Sequence, residues 1–344
     1  MIDIKQIIRS NILTLNPYTS ARDAHTGREG VFLDANENPY GTLNRYPDPY
    51  QRKLKQKLAI LKGVAQENIF IGNGSDEVID LAFRIFCNPG EDKVLTFSPT
   101  YGMYSVSAAI NNIELINLPL ANDFQINMDE LSPYLNDSSI KLIFICSPNN
   151  PSGNTVDRKA IERLLNGFKG LVVVDEAYID FTKDASWTQA LCAYPNLIVT
   201  QTLSKAYGLA GIRLGICYAS KDIIAVLNKI KPPYNINSLT QDAAIKALEN
   251  KTIVDAQVET LLNQRNSLIN AFKSVSFIKK IYPSEANFIL IKVDDANKRY
   301  DELIKNGIVV RNRSSQLHCE NCLRITVGTS TENTQLITLL NTLI

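Results

Sequence analysis

The chain has almost no excess of either charge. In 344 residues, 36 basic side chains stand against 35 acidic ones, for a net charge of +1. No bulk field draws it to nucleic acid or to an anionic membrane surface. Long apolar runs are missing too, since none approaches the roughly 18 to 20 residues that a membrane-spanning helix needs. The opening Met1-Ile-Asp-Ile-Lys-Gln lacks the basic-then-apolar layout of a secretory signal, so a cytoplasmic protein is expected. Histidine is scarce, with only His25 and His318, and the six cysteines form no disulfide framework. Cys87, Cys146, Cys192 and Cys217 lie in apolar segments and read as small buried hydrophobes. Cys319 and Cys322 make a lone Cys-x-x-Cys pair. With no second pair and no thioredoxin-like context, neither a metal site nor a redox role is expected of it.

What is present is an ordinary 45% share of apolar residues in a chain long enough for one large core and a smaller second domain. Residues 1–49 are rich in turn formers and read as an extended arm. From about 50 to 240, helix-period and strand-like segments alternate. Leu54, Leu58 and Leu61 mark one helix face, and Asp76 to Phe86 a second helix; another is expected from Asp157 to Phe168. The strand-like runs Ile69 to Gly72, Val94 to Phe97, Leu142 to Ile145, Leu171 to Val174 and Leu197 to Thr200 do not alternate with polar residues. That pattern predicts burial on both faces, as in a mostly parallel sheet flanked by helices, an α/β fold. Residues 241–344 hold a long connecting helix, expected over about 239 to 273, and then a compact α+β unit. Its strands are expected at Phe288 to Val293, Ile308 to Arg311 and Leu323 to Val327, with helices at Ala296 to Asn306 and Glu332 to Ile344. With the arm, this unit reads as a small domain capping the large one.

Two residues carry most of the chemical information. Asp175 ends one apolar run, in Val174-Asp-Glu-Ala-Tyr, and Lys205 follows another, in Thr202-Leu-Ser-Lys-Ala-Tyr-Gly-Leu-Ala-Gly-Ile-Arg. A lysine and an aspartate at strand ends suit pyridoxal 5′-phosphate, which needs an amine for an imine bond and a carboxylate to keep its ring nitrogen protonated. Other residues of matching chemistry fall at strand ends, where open α/β sheets bind ligands. Gly74, Ser75 and Asp76 open a helix whose first amides face an anion. The third glycine of a dinucleotide fingerprint is missing there, and so is a phosphate-loop Gly-Lys-Ser/Thr. Tyr101 offers a ring face, and Asn150 sits in the held turn Ser147-Pro-Asn-Asn-Pro-Ser-Gly. Tyr178, Thr202 and Ser204 offer hydroxyls and Arg213 a guanidinium. Singly, each has an ordinary reading as a helix cap, a packed aromatic or a turn residue.

Together these motifs carry a resemblance. With Asp34-Ala-Asn-Glu-Asn-Pro, Arg45-Tyr46-Pro-Asp and Cys322-Leu-Arg-Ile-Thr-Val-Gly, the chain resembles the fold-type I pyridoxal-phosphate aminotransferases, and among them the histidinol-phosphate aminotransferase family. The resemblance runs from Asn16-Pro-Tyr18 to about Gly328. It implies that Lys205 bonds the cofactor and shuttles the proton between the substrate α-carbon and cofactor C4′. It implies that Asp175 holds the pyridinium, that Tyr101 stacks on the ring, and that Asn150 and Tyr178 bond the phenolate oxygen. Gly74, Ser75, Asp76, Ser204 and Arg213, with Thr202 in a weaker role, would hold the phosphate. Tyr46 would reach the cofactor phosphate of a partner subunit, making an obligate homodimer with shared sites, its arm part of the interface. Arg311 and Arg324 would face the anionic end of the substrate, histidinol phosphate or glutamate, with Tyr18 and Tyr234 lining the pocket. The implied reaction is ping-pong transamination in histidine synthesis. The family's turn more often reads Pro-Thr-Gly where this chain has Pro-Ser-Gly, and Cys319-Glu-Asn-Cys322 is not part of its pattern. Rival readings are an aromatic or broad-range aminotransferase or a threonine-phosphate decarboxylase on the same scaffold. A transcription-regulator module is a further rival, but no basic recognition helix is apparent.

Overall fold

A computed structural model describes residues 3–19, 21–24 and 30–343. Parts of the expected N-terminal arm, including His25, and the terminal Ile344 lie outside the described residues. Seven strands form one sheet: β1 (Ile69–Asn73), β2 (Lys93–Ser98), β3 (Glu114–Pro119), β4 (Ile140–Cys146), β5 (Leu171–Asp175), β6 (Leu197–Thr202) and β7 (Leu214–Ala219). Their spatial order is β1-β7-β6-β5-β4-β2-β3. The pairs from β6 through β5, β4 and β2 to β3 are parallel, and β7 runs antiparallel to both β6 and β1. The reversal has a simple cause. Only Leu203 to Arg213 join β6 to β7, short of the roughly dozen-residue crossover that a parallel neighbour requires. Its consequence is functional. The reversed β7 begins at the edge where β1, β4, β5 and β6 end, so Arg213 arrives beside the residues that follow those strands.

β5, β6 and β7 are buried at every position, which explains their unbroken apolar sequence. Two apolar cores cover the two faces of the sheet. One packs Phe70, Phe83, Phe144 and Leu227, with the helices Gly74–Phe86 and Lys221–Ile230. The other packs Leu58, Ile71, Val174, Leu197 and Phe288, with the helices Arg52–Lys62 and Arg158–Gly167.

A second sheet, in the order β10-β11-β9-β8, uses β8 (Ile278–Ile281), β9 (Phe288–Val293), β10 (Arg311–Asn312) and β11 (Cys322–Thr326), all antiparallel. Strand alternation divides its two faces. Ile289, Ile291, Leu323 and Ile325 join a core with Phe272, Leu303 and Leu336, on the helices Lys251–Phe272, Ala296–Lys305 and Ser330–Leu340. Phe288, Leu290 and Cys322 point the other way, into the core of the large sheet. Arg324 is two residues from Cys322 and shares that inward face.

Several expectations need correction. The long helix expected over 239 to 273 is two helices, Ser238–Glu249 and Lys251–Phe272, broken at Asn250. There the backbone turns (φ −103°, ψ 33°) and the Asn250 amide donates to the Ala247 carbonyl. The strand expected at Ile308 to Arg311 shrinks to Arg311–Asn312, because the chain leaves the preceding helix through a turn at Gly307 (φ +79°) and pairs only where it meets β11. β3 and β8, both at sheet edges, have no counterpart among the expected strands.

Candidate functional site

The ends of β1, β4, β5 and β6 and the start of β7 surround a cavity of about 70 Å³. Gly74, Ser75, Asp76, Tyr101, Asn150, Asp175, Tyr178, Thr202, Ser204, Lys205 and Arg213 line it, with Cys146 and Ala177. A larger cleft of about 430 Å³ lies between the arm and the Lys221–Ile230 helix, lined by Tyr18, Tyr50, Arg84 and Lys229. Volume does not choose between them. Only the smaller cavity brings a lysine, a buried carboxylate and a helix start together.

Asp175 closes β5 with only 2% of its surface exposed. Tyr104 Oη donates to its Oδ2 at 2.8 Å and the Ala177 amide to its Oδ1 at 3.2 Å. Burial still pushes its carboxyl above the usual range, against the pull of those donors. A cation placed in the cavity would restore the charged form. Lys205 is open on one side, yet partial burial lowers its amine from the ordinary value, and repulsion from Arg324 adds to that. Asp175 and Asp76 pull the other way. Its Nζ lies 5.7 Å from the centre of the Tyr178 ring.

At the helix start two glycines are sterically required. Gly74 has φ +76°, and a Cβ there would meet Arg213 Nη2 at 2.8 Å. A Cβ on Gly215 in β7 would meet the Gly74 carbonyl carbon and the Ser75 nitrogen at 2.2 Å. The strand therefore runs directly beneath the first turn. The Gly74 amide is spent on the Arg213 carbonyl at 2.9 Å, whereas Ser75 and Asp76 lie in the first turn, whose amides have no carbonyl partner within the helix. Arg213 Nη2 sits 3.4 Å from Asp76 Oδ2, and Tyr101 Oη donates to Asp76 Oδ1 at 2.9 Å. Thr202 Oγ1 donates to the Leu214 carbonyl at 2.9 Å and accepts from the Ser204 amide at 3.1 Å, so it braces the loop that carries Lys205.

The small sheet closes one side. Arg324 donates through Nη1 to Asn150 Oδ1, and its guanidinium carbon lies 5.2 Å from the Phe288 ring centre. Arg311 is the direct cross-strand neighbour of Arg324 but lies toward solvent. Tyr46, Tyr18 and Tyr234 do not line the cavity. Tyr46 stacks on Tyr234 with ring centres 4.4 Å apart and planes 15° apart, and Tyr18 is 73% exposed in the arm. Tyr104, Gly215 and Arg313 were not singled out from the sequence. Tyr104 was detectable as the residue one helical turn beyond Tyr101, and Gly215 as the glycine two residues past Arg213. Arg313 carried no distinguishing signal.

The cavity thus brings together an amine, a buried carboxylate, a helix start with a guanidinium beside it, and an aromatic face. The family model described as aminotransferase class I and II matches residues 15–340. The chain is 54% identical over 344 residues to a histidinol-phosphate aminotransferase of Flavobacterium psychrophilum, covering 99% of each. Among solved structures it is similar to the histidinol-phosphate aminotransferase from Clostridium acetobutylicum, with a TM-score of 0.80 and 25% identity over 88% of this chain and 92% of that one. It is also similar to the one from Sinorhizobium meliloti in complex with pyridoxal-5′-phosphate, with a TM-score of 0.79 and 24% identity over 90% of each chain.

Proposed function

The chain belongs to the class I and II aminotransferases and, within them, to the histidinol-phosphate aminotransferases, and we propose that it moves an amino group from glutamate to imidazole acetol phosphate, yielding histidinol phosphate in histidine synthesis. One observation carries the reading: Lys205 and Asp175 line the same cavity as the Gly74–Phe86 helix start and Arg213. That donor set fits pyridoxal 5′-phosphate. The Ser75 and Asp76 amides, the Ser204 hydroxyl and Arg213 would hold the phosphate, with Gly74 giving the close approach and Thr202 bracing Ser204. Asp175 would face the ring nitrogen, Tyr101 would cover the ring, and Asn150 and Tyr178 would bond the phenolic oxygen. When bound, the cofactor supplies a protonated pyridine ring that withdraws electrons from the substrate α-carbon.

The chain's own groups do the rest. Asp175 keeps the ring nitrogen protonated, and Tyr104 fixes its carboxylate. Lys205, with its amine lowered toward the neutral form, would take the proton from the substrate α-carbon and return it at cofactor C4′. Arg324, braced on Asn150, and Arg311 meet the anionic end of either substrate, with Tyr18 and Tyr234 on the arm side. Because one site serves both half-reactions, the kinetics are ping-pong.

A homodimer completes the site. The arm presents Val31, Leu33 and Tyr40 at 87%, 88% and 83% exposure, a set of apolar side chains that a second copy would cover. Glu37 bonds Arg22, Arg45 and the Tyr46 amide and holds the arm's shape. Tyr46 of each copy would then reach the other's cofactor phosphate. The division into an arm at 1–49, a large domain at 50–240 and a small domain at 241–344 is supported by the separate core under the second sheet. No described helix is long and apolar enough to cross a membrane, and we assign the enzyme to the cytoplasm. Steady-state assays with glutamate and imidazole acetol phosphate test the reading. Parallel double-reciprocal lines and strict dependence on an oxo acceptor are expected. Release of carbon dioxide without an acceptor would instead make the protein a decarboxylase.

A further inference from the structure

Arg313 has no part in the site described so far, yet it lies on the same face of the small sheet as Arg311 and Arg324. Arg311 pairs directly with Arg324 across β10 and β11, and the Arg313 amide donates to the Cys322 carbonyl at 2.9 Å, continuing the ladder. Residues two apart on a strand share a face, so Arg311, Arg313 and Arg324 stand together on one face of the small sheet, with Arg313 and Arg324 partly buried and Arg311 at the solvent edge. No ion pair with an acidic side chain is found for any of the three among the described residues. The Nε atoms of Arg313 and Arg324 are buried without a hydrogen-bond partner. Burial, then repulsion from Arg324 and Arg311, pushes the Arg313 guanidinium down to about 10. Partly buried guanidiniums set beside one another without a carboxylate are destabilising until an anion joins them. A single carboxylate is satisfied by one bidentate arginine, whereas a phosphate dianion offers oxygens to several. The loop is built to hold this position: the Ser314 amide donates to Asn312 Oδ1 at 2.9 Å, the Gln316 amide to the Arg313 carbonyl at 2.9 Å, and His318 Nε2 lies 3.0 Å from the Leu120 carbonyl.

Resting on the transaminase reading above, we propose that Arg313 is a specificity-determining residue of this enzyme: it binds the phosphate of the phosphorylated substrate and discriminates it from a carboxylate-ended one. The test uses Arg313→Gln and Arg313→Lys holoenzymes. One charge-assisted contact to phosphate corresponds to a factor of roughly 10 to 100. Arg313→Gln is expected to raise KM for histidinol phosphate by about that factor. Both kcat and the KM for glutamate should stay within about threefold, and Arg313→Lys should fall between. A second readout needs no turnover. With the cofactor fixed to the enzyme by borohydride, inorganic phosphate is titrated calorimetrically, and Arg313→Gln is expected to weaken it by a similar factor. Equal KM shifts for histidinol phosphate and glutamate, or unchanged phosphate binding, would overturn the role of Arg313. A wild-type enzyme that ignores histidinol phosphate yet binds phosphate through Arg313 would sink the substrate assignment alone.

Discussion

Gly215 allows β7 to pass directly under the first turn of the Gly74–Phe86 helix, and one added methyl there is the sharpest perturbation the site offers. A Cβ would lie 2.2 Å from the Gly74 carbonyl carbon and the Ser75 nitrogen and 2.4 Å from the Gly74 oxygen. That is about 1.2 Å short of the 3.4 Å at which ordinary contact begins. The atoms it meets are backbone, so no rotamer relieves the clash. Overpacking of this kind costs at least about 3 kcal/mol, the upper end of the usual range for added methylenes. The helix start must move away from β7, and Ser75 and Asp76 move with it, out of line with Arg213. Losing one charge-assisted contact to the cofactor phosphate weakens cofactor binding about 10- to 100-fold. The assay pairs thermal melting of the cofactor-free protein with a cofactor titration followed by absorbance, well below the melting temperature. Gly211→Ala is the control, because a Cβ there meets nothing within 4 Å. It should leave both readouts near wild type. A Gly215→Ala protein with wild-type melting and wild-type cofactor affinity would refute the close approach and the phosphate placement with it.

Other outcomes follow from single groups. Lys205→Ala is expected to abolish transamination and the absorbance of the lysine-bound cofactor; near-wild-type turnover would contradict its role. Arg324→Ala should raise KM for phosphate-bearing and dicarboxylate substrates about 10-fold or more while leaving cofactor affinity nearly unchanged, and an equal loss of both would contradict its placement. Tyr104→Phe removes a donor that lowers the Asp175 pKa, so that pKa rises further and the acid limb of the rate profile moves to higher pH; an unmoved limb would show that Tyr104 does not tune the carboxylate. The Glu37 carboxyl is held at about 2, below the ordinary glutamate value of about 4.5, because against the raising effect of burial it accepts bonds from Arg45, the Tyr46 amide and Arg22. A depressed carboxyl stabilises the folded state above its unfolded pKa, and that stability is lost as pH falls from about 4.5 toward 2. Glu37→Gln should flatten the acid destabilisation in that window, read by melting against pH.

The parts of the fold legible in the sequence were those fixed by local chemistry. Unbroken apolar runs marked the central strands, because both of their faces are covered. The residues just after those runs marked the site, because parallel strands deliver their ends to one edge. What stayed hidden depends on contacts between distant segments. Gly215 reads as a plain strand glycine until β7 is found beneath the helix at Gly74. Tyr104 reads as a core aromatic until its hydroxyl meets Asp175. β3 and β8 are sheet-edge strands with partly exposed positions, so neither shows the buried-strand pattern. Asn250 breaks a helix inside a continuous helical pattern: it is a weak helix former whose amide turns back to the Ala247 carbonyl. Arg313 looks like any charged loop residue until strand register sets it beside two other arginines.

The most direct measurement is borohydride reduction of the cofactor-loaded protein, followed by proteolysis and mass spectrometry. A single reduced cofactor adduct on the peptide carrying Lys205, absent from Lys205→Ala, is the expected result. An adduct on another lysine, or none after full loading, would contradict the assignment of this cavity.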